Sequence, residues 1–259
     1  MSIKGTVKNI LLKLLLRLGP KDIPDASILL YHNVGRDGAY LTTTPENFER
    51  QINFLLQNNY HIISLHDLVD NLRHKHPIKP RTVVLTFDDG FAGQYDFVFP
   101  VLRAQRIPAT FFIASGLVGQ SLKLSSGHNL PVMSWEKIWE IGSTPHLEIA
   151  PHSVTHREFT GLMYDKIVEE IQKSRSALEE KLGRRSDFFA YPRGKWTTEA
   201  VRILEDKHFS AAVTVAQGLV VAGDNPYLLR RNTIDSSVTD LKLFEARLGW
   251  PVKIFSKML

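Results

Sequence analysis

The stretch Thr82-Val83-Val84-Leu85-Thr86-Phe87-Asp88-Asp89-Gly90 carries an apolar run directly into two adjacent carboxylates and a glycine. The run is short and β-branched, so it reads as a buried strand. Two like charges where such a strand ends are costly unless something compensates them, and a bound cation is the usual compensation. Similar strand-like runs lie at 27–31, 109–114, 147–150, 188–191, 211–215 and 228–234. Helical patterns lie between many of them. Pro45 to Asn58 places Phe48, Ile52, Leu55 and Leu56 on one face, and Tyr164 to Leu182 is followed by a stopping Gly183. Strands alternating with helices imply an α/β fold with a parallel sheet, and about seven such units point to a TIM-like barrel.

Farther along, Pro151-His152-Ser153-Val154-Thr155-His156 supplies two imidazoles four residues apart. One carboxylate and two histidines make a three-ligand site for zinc or a similar metal, and the second carboxylate is then free to act as a base. The chain has no cysteine, so any metal is held by His, Asp or Glu. His32, the Asp88-Asp89 pair, His152 and Tyr191-Pro192-Arg193-Gly194 each follow a strand-like run. In a parallel barrel those ends share one rim.

Taken together, Thr86-Phe87-Asp88-Asp89-Gly90, His152-Ser153-Val154-Thr155-His156, Tyr191-Pro192-Arg193-Gly194 and Ala109-Thr110-Phe111-Phe112 resemble the polysaccharide deacetylase family, carbohydrate esterase family 4. The resemblance implies a distorted (β/α)7-type barrel and a metal-dependent hydrolase that removes N-acetyl groups from N-acetylhexosamine units. It assigns Asp88 as general base and Asp89, His152 and His156 as metal ligands, with Zn2+ expected and Co2+ or Ni2+ as alternatives. Most members place a base-orienting arginine two residues before the proline of the third motif, where this chain has Ala190. A late Leu-x-His motif is also lacking. Instead Leu29-Leu30-Tyr31-His32-Asn33-Val34 stands near the start, as in the circularly permuted poly-N-acetylglucosamine deacetylase branch. By that resemblance His32 is the acid, and Arg231, after Asn225-Pro226-Tyr227, is the expected partner of Asp88. The backbone amide of Arg193 is the expected oxyanion donor, its side chain a candidate for an anionic substrate group, and Tyr191 and Trp196 candidates for the substrate side of the pocket.

At 259 residues with ordinary apolar and charged fractions, the chain reads as one domain, 20–259, preceded by an amphipathic helix, 1–19. Lys13 and Arg17 interrupt the first apolar stretch and no small-residue cleavage site follows, which argues against a cleaved export signal. Thr6, Asn9, Lys13 and Arg17 form a polar stripe, whereas Ile3, Val7, Leu11, Leu14, Leu15 and Leu18 form a broad apolar face. The partner of that face is the protein's own core, a second subunit or a membrane surface. A cytoplasmic enzyme, resting on the membrane through residues 1–18, is the expectation, with a cell-envelope polysaccharide or its lipid-linked precursor as substrate. The net charge of +5 is scattered, without the basic stripe and interleaved aromatics of a nucleic-acid binder. Two other readings stay open: a deacylase of another amide such as a formamido sugar, and a non-catalytic glycan-binding relative. Arg73-His74-Lys75-His76 reads as a solvated turn, Trp135 and Trp139 as core, and the Gly- and Ser-rich segment 116–131 as a substrate flap or a disordered loop.

Overall fold

The computed structural model of the protein describes residues 3–20 and 22–255. Strands Asn232–Thr233, Ala26–Tyr31, Thr82–Phe87, Ala109–Ile113 and Leu147–Pro151 lie side by side in that order, and every pairing is parallel. His61–Ile62 pairs with Thr82 and Val83 at the start of the third of these strands, whereas Ala109–Ile113 pairs with Thr86 and Phe87 at its end. Phe188–Ala190 and Ala211–Val213 form a separate parallel pair, linked onward through a bridge from Val213 to Leu229. The fold is thus α/β with a parallel sheet, as the alternation implies.

The ladders do not run on as one sheet of seven strands. Among the described residues no strand pairing joins Leu147–Pro151 to Phe188–Ala190. Side chains span the gap: Ser186 Oγ donates to the Ile149 carbonyl at 3.2 Å, and His152 Nδ1 lies 2.8 Å from the Ala190 carbonyl.

Successive strand residues face opposite ways, and the core divides accordingly. Leu29, Tyr31, Leu85, Phe87 and Phe111 pack with Phe48, Ile52 and Leu55 of the helix Pro45–Gln57. Their neighbours Ile28, Val84 and Phe112 meet Ala190 and Val213 of the second sheet. Helix Pro45–Gln57 begins at a Thr44 cap with proline in its first turn, and helix Tyr164–Leu182 ends on Gly183 at φ 66°.

Glu148 pairs in register with Thr110 and accepts from its hydroxyl at 3.3 Å. Burial pushes its carboxyl up to about 7, with Thr110 opposing. A raised carboxyl keeps its proton in the folded state while the unfolded chain has already lost it, so stability is expected to fall as pH rises from about 4.5 to 7. The residue as a whole is half-buried, which limits the loss to about 1–3 kcal/mol. Urea unfolding across this range should show the slope, and Glu148→Gln should flatten it.

The first helix spans Ile3–Leu18 and packs on helices Leu241–Leu248 and Trp250–Phe255. Its orientation differs from a simple apolar-face-inward arrangement. Leu12 is fully buried, but Lys13 pairs with Asp240 at 2.5 Å and Asn9 Oδ1 lies 3.5 Å from Arg247 Nη2, so this part of the polar stripe turns inward. Ile10, Leu14 and Leu18 are exposed. The inward turn follows from two charged groups that the polar stripe meets, the half-exposed cap Asp240 and the buried Arg247. The side chains at 3–8 and 17 lie outside the described residues.

Candidate active site

His32, Asp88-Asp89 and His152 each stand immediately after a parallel strand, and Arg193 lies just beyond Phe188–Ala190, so all gather at the same end of the sheets. Asp88 N donates to the Tyr31 carbonyl at 2.9 Å, extending the strand pairing to the base of the site. Asp89, Ser153, His156 and Arg193 all have left-handed backbones, with φ of 72°, 64°, 59° and 52°. Each costs about 1 kcal/mol for a residue with a β-carbon, and such strain concentrates where function fixes the geometry.

Asp88 is buried and bound through both oxygens. Arg231 Nη1 donates to Oδ1 at 2.7 Å and Nη2 to Oδ2 at 2.6 Å, while Nε donates to the Thr214 carbonyl and Nη1 also reaches Thr86 Oγ1. Arg231 is itself fully buried, with its guanidinium over the Phe112 ring. Burial pushes the Asp88 carboxyl up, but the Arg231 guanidinium together with His152 and His32 holds its pKa below the ordinary carboxylate value. Ala190 stands where most family members carry an arginine, and Asp88 takes its guanidinium from Arg231 in a distant segment instead.

Asp89, His152 and His156 offer one ligand atom each, all within 4.8 Å of one another. Asp89 Oδ1 lies 3.1 Å from His156 Nε2 and 3.5 Å from His152 Nε2, yet it is buried and has no hydrogen-bond partner among the described residues. A divalent cation bound between these groups would satisfy that orphaned oxygen. The His152 Nδ1–H donates to the Ala190 carbonyl, which leaves Nε2 as the lone-pair donor toward the centre. The donor set of one carboxylate and two imidazoles suits zinc and leaves a position open.

The loop carrying both histidines is held from outside. Glu170 on helix Tyr164–Leu182 accepts from the amides of Val154 and Thr155, both at 2.9 Å, and from the Thr155 hydroxyl. Ser153 Oγ accepts from the His156 amide at 3.0 Å. Gln94 does similar work for His32 and Asp88: its Nε2 donates to their backbone carbonyls, at 2.8 Å and 2.6 Å. It is fully buried in the π-helical turn Gln94–Val98, which approaches closely because residue 93 is glycine; a β-carbon there would stand 2.0 Å from the Val34 carbonyl oxygen. Gln94→Leu is expected to lose about 1–3 kcal/mol of stability in urea unfolding and about 10-fold in turnover, with metal content unchanged.

His32 faces the same pocket, with its Nδ1 unpartnered among the described residues. Burial lowers its pKa, and the carboxylates of Asp89 and Asp88 oppose that. The pocket, about 250 Å³, is also lined by Tyr40, Lys123, Arg193 and Val215. Segment 116–131 is ordered as an antiparallel hairpin, Ser121–Lys123 with Asn129–Pro131, and residues 122–126 form one wall. Tyr191 stands elsewhere: its ring is fully buried against Phe159 and Phe189, and its hydroxyl donates to the Tyr227 carbonyl at 3.1 Å. Trp196 is exposed but does not line the pocket. The aromatic ring at the mouth is Tyr40, whose hydroxyl pKa is raised by burial and by Asp235. Trp135 packs against the core, whereas Trp139 is exposed.

The sequence profile of one family, described as polysaccharide deacetylase, matches residues 75–212. A poly-β-1,6-N-acetyl-D-glucosamine N-deacetylase of Staphylococcus aureus is 23% identical over 198 residues, covering 73% of this chain and 67% of the relative. IcaB from Ammonifex degensii superposes with a TM-score of 0.76 at 25% identity, covering 86% of this chain and 97% of that one. The Streptococcus pyogenes deacetylase PplD, solved with acetate, gives a TM-score of 0.75 at 21% identity, over 87% of this chain and 99% of that one.

Proposed function

Because the chain belongs to the polysaccharide deacetylase family, we propose that it is a metal-dependent hydrolase removing N-acetyl groups from N-acetylhexosamine units of a bacterial polysaccharide or lipid-linked glycan. One observation carries this reading: a buried, unpartnered Asp89 oxygen between two histidines, beside a second aspartate locked by a buried arginine. A binding module has no use for such a costly arrangement of charges. The parallel strands and their common rim support a distorted (β/α)7-type barrel, in which His152, Ser186 and their carbonyl partners stand where a ladder would close.

Asp89, His152 and His156 would hold the metal, a donor set that suits zinc. A divalent cation held there would supply polarisation of the amide carbonyl and a more acidic water. Asp88, kept ionised and oriented by Arg231, accepts the proton of the attacking water. We assign the Arg193 amide, in the turn after Tyr191, as donor to the developing oxyanion. His32 delivers a proton to the departing amine, which leaves only when protonated. Tyr40 offers a face for a sugar ring at the mouth.

The test is acetate release from N-acetylated glycans and lipid-linked sugars by metal-loaded protein. Stripping the metal with a chelator is expected to reduce release to background, and zinc to restore it. Retained activity in metal-free protein would overturn the reading, and release of formate rather than acetate would change the acyl group.

We also propose that the protein lies on an anionic membrane through its first helix, supported by the exposed stripe Ile10, Leu14 and Leu18 and the net positive charge. No described helix is long and apolar enough to cross a membrane. Flotation with phosphatidylglycerol vesicles should carry the protein, and Leu14→Glu with Leu18→Glu should leave it behind; equal flotation of both would refute the contact.

A further inference from the structure

We propose that the pocket selects N-acetylated sugars bearing an anionic group, phosphoryl or carboxyl, on or beside the sugar that is cleaved, and that Arg193 and Lys123 hold that group. The proposal rests on the deacetylase reading and adds the substrate's charge to it. The charge balance of the pocket carries the argument. Its lining contains two carboxylates, Asp88 and Asp89, and both are committed: Asp88 to Arg231, Asp89 to the metal histidines. Its lining also contains two cations, Lys123 and Arg193, with no carboxylate left in the wall to match them.

Outside the wall, the available partner is weak. Glu158 Oε1 stands 3.8 Å from Arg193 Nε, beyond hydrogen-bond reach, so the two terminal nitrogens of the guanidinium keep their donors for a ligand. Lys123 has no ion pair or hydrogen bond through its ammonium among the described residues. The two cations come from separate segments, the hairpin wall and the turn after Phe188–Ala190, so an anion between them bridges one side of the pocket to the other.

The backbone makes Arg193 a rigid post. Its φ of 52° is left-handed, and the next residue, Gly194, is at φ 68° where a β-carbon would stand 2.6 Å from Val215 N. The turn therefore fixes the backbone from which the Arg193 side chain extends, which removes the backbone share of the ordering cost of binding. A guanidinium fork matches the oxygens of phosphate and carboxylate, and an ammonium adds a point charge.

The test uses metal-loaded protein and three probes: N-acetylglucosamine 1-phosphate, N-acetylmuramic acid and neutral N-acetylglucosamine. Calorimetric titration is expected to show at least one anionic probe binding about 10-fold or more tightly than the neutral one, with the preference eroding as salt rises. The larger preference identifies the group as phosphoryl or carboxyl. In the double variant Lys123→Gln, Arg193→Gln the anionic-to-neutral ratio is expected to fall about 10-fold, which is about 1.4 kcal/mol. Lys123→Gln alone, on an exposed hairpin residue, should lose part of it, and Arg193→Lys should retain more than Arg193→Gln.

Equal affinities for all three probes, or a preference that survives in the double variant because the metal alone binds the anion, would overturn the proposal. Equal losses for neutral and anionic probes would do so too, since they mark a merely structural role. If the preference is present but no sugar releases acetate, the deacetylase reading falls and the anion subsite stands.

Discussion

Asp88→Asn is expected to keep its metal and lose turnover by about 1,000-fold, whereas Asp89→Asn is expected to lose the metal itself. The two aspartates are adjacent in sequence, but their surroundings separate their roles. Asp88 gives both oxygens to Arg231 and is the nearest carboxylate free of the metal triad. Asp89 turns its orphaned oxygen between two imidazoles, where a neutral amide is a far poorer ligand. Elemental analysis of the purified variants, beside acetate release from the same samples, separates them. Loss of metal in both, or retained turnover in Asp88→Asn, would refute the division of labour.

Arg231→Met should unfold at markedly lower urea, by about 3–5 kcal/mol, because it leaves the Asp88 carboxylate buried without its countercharge. Turnover should fall with it, by about 100-fold or more in whatever fraction remains folded, since the base loses both its ionised state and its aim. Arg231→Lys should not rescue either property: an ammonium cannot make two parallel bonds to Asp88 while a third reaches the Thr214 carbonyl. Adding Asp88→Asn to Arg231→Met should recover a large part of the stability but none of the activity, because the lone charge is then gone. The double-mutant cycle reads the coupling directly. Additive losses would mean that the pair acts as two independent residues.

Much of this site was legible along the chain because its metal-binding groups sit in short contiguous motifs at strand ends. Thr82–Phe87 is wholly apolar or β-branched and turns out wholly buried, so the place of Asp88 and Asp89 follows from the strand. Arg231 became readable through the alanine at 190, which lacks the usual arginine, together with the Asn225-Pro226-Tyr227 segment that precedes it. Tyr191 and Trp196 show what nearness in sequence leaves open. Tyr191 follows a strand residue and packs into the Phe159 and Phe189 cluster, and Trp196, just beyond the turn, is exposed and does not line the pocket.

Gln94 and Glu170 gave no signal at all. One is an amide whose importance lies in two carbonyls it bridges, and the other is a helix charge that looks solvated until the loop it anchors is seen. The first helix was legible as amphipathic, but which stripe turns inward depends on Asp240 and Arg247, far along the chain.

The Asp88 and Arg231 pair joins positions 143 residues apart. During synthesis, the first half of the site is therefore made long before the charge that neutralises it. Until the segment containing Arg231 docks between Ala26–Tyr31 and the second sheet, the carboxylate has every reason to stay hydrated and the strand ends around it to stay open. Closure of the fold and arming of the base are then a single event, late and cooperative. A chain ending before residue 231 is expected to be neither active nor stably packed around Asp88, so hydrolytic competence would report that this long-range contact has formed.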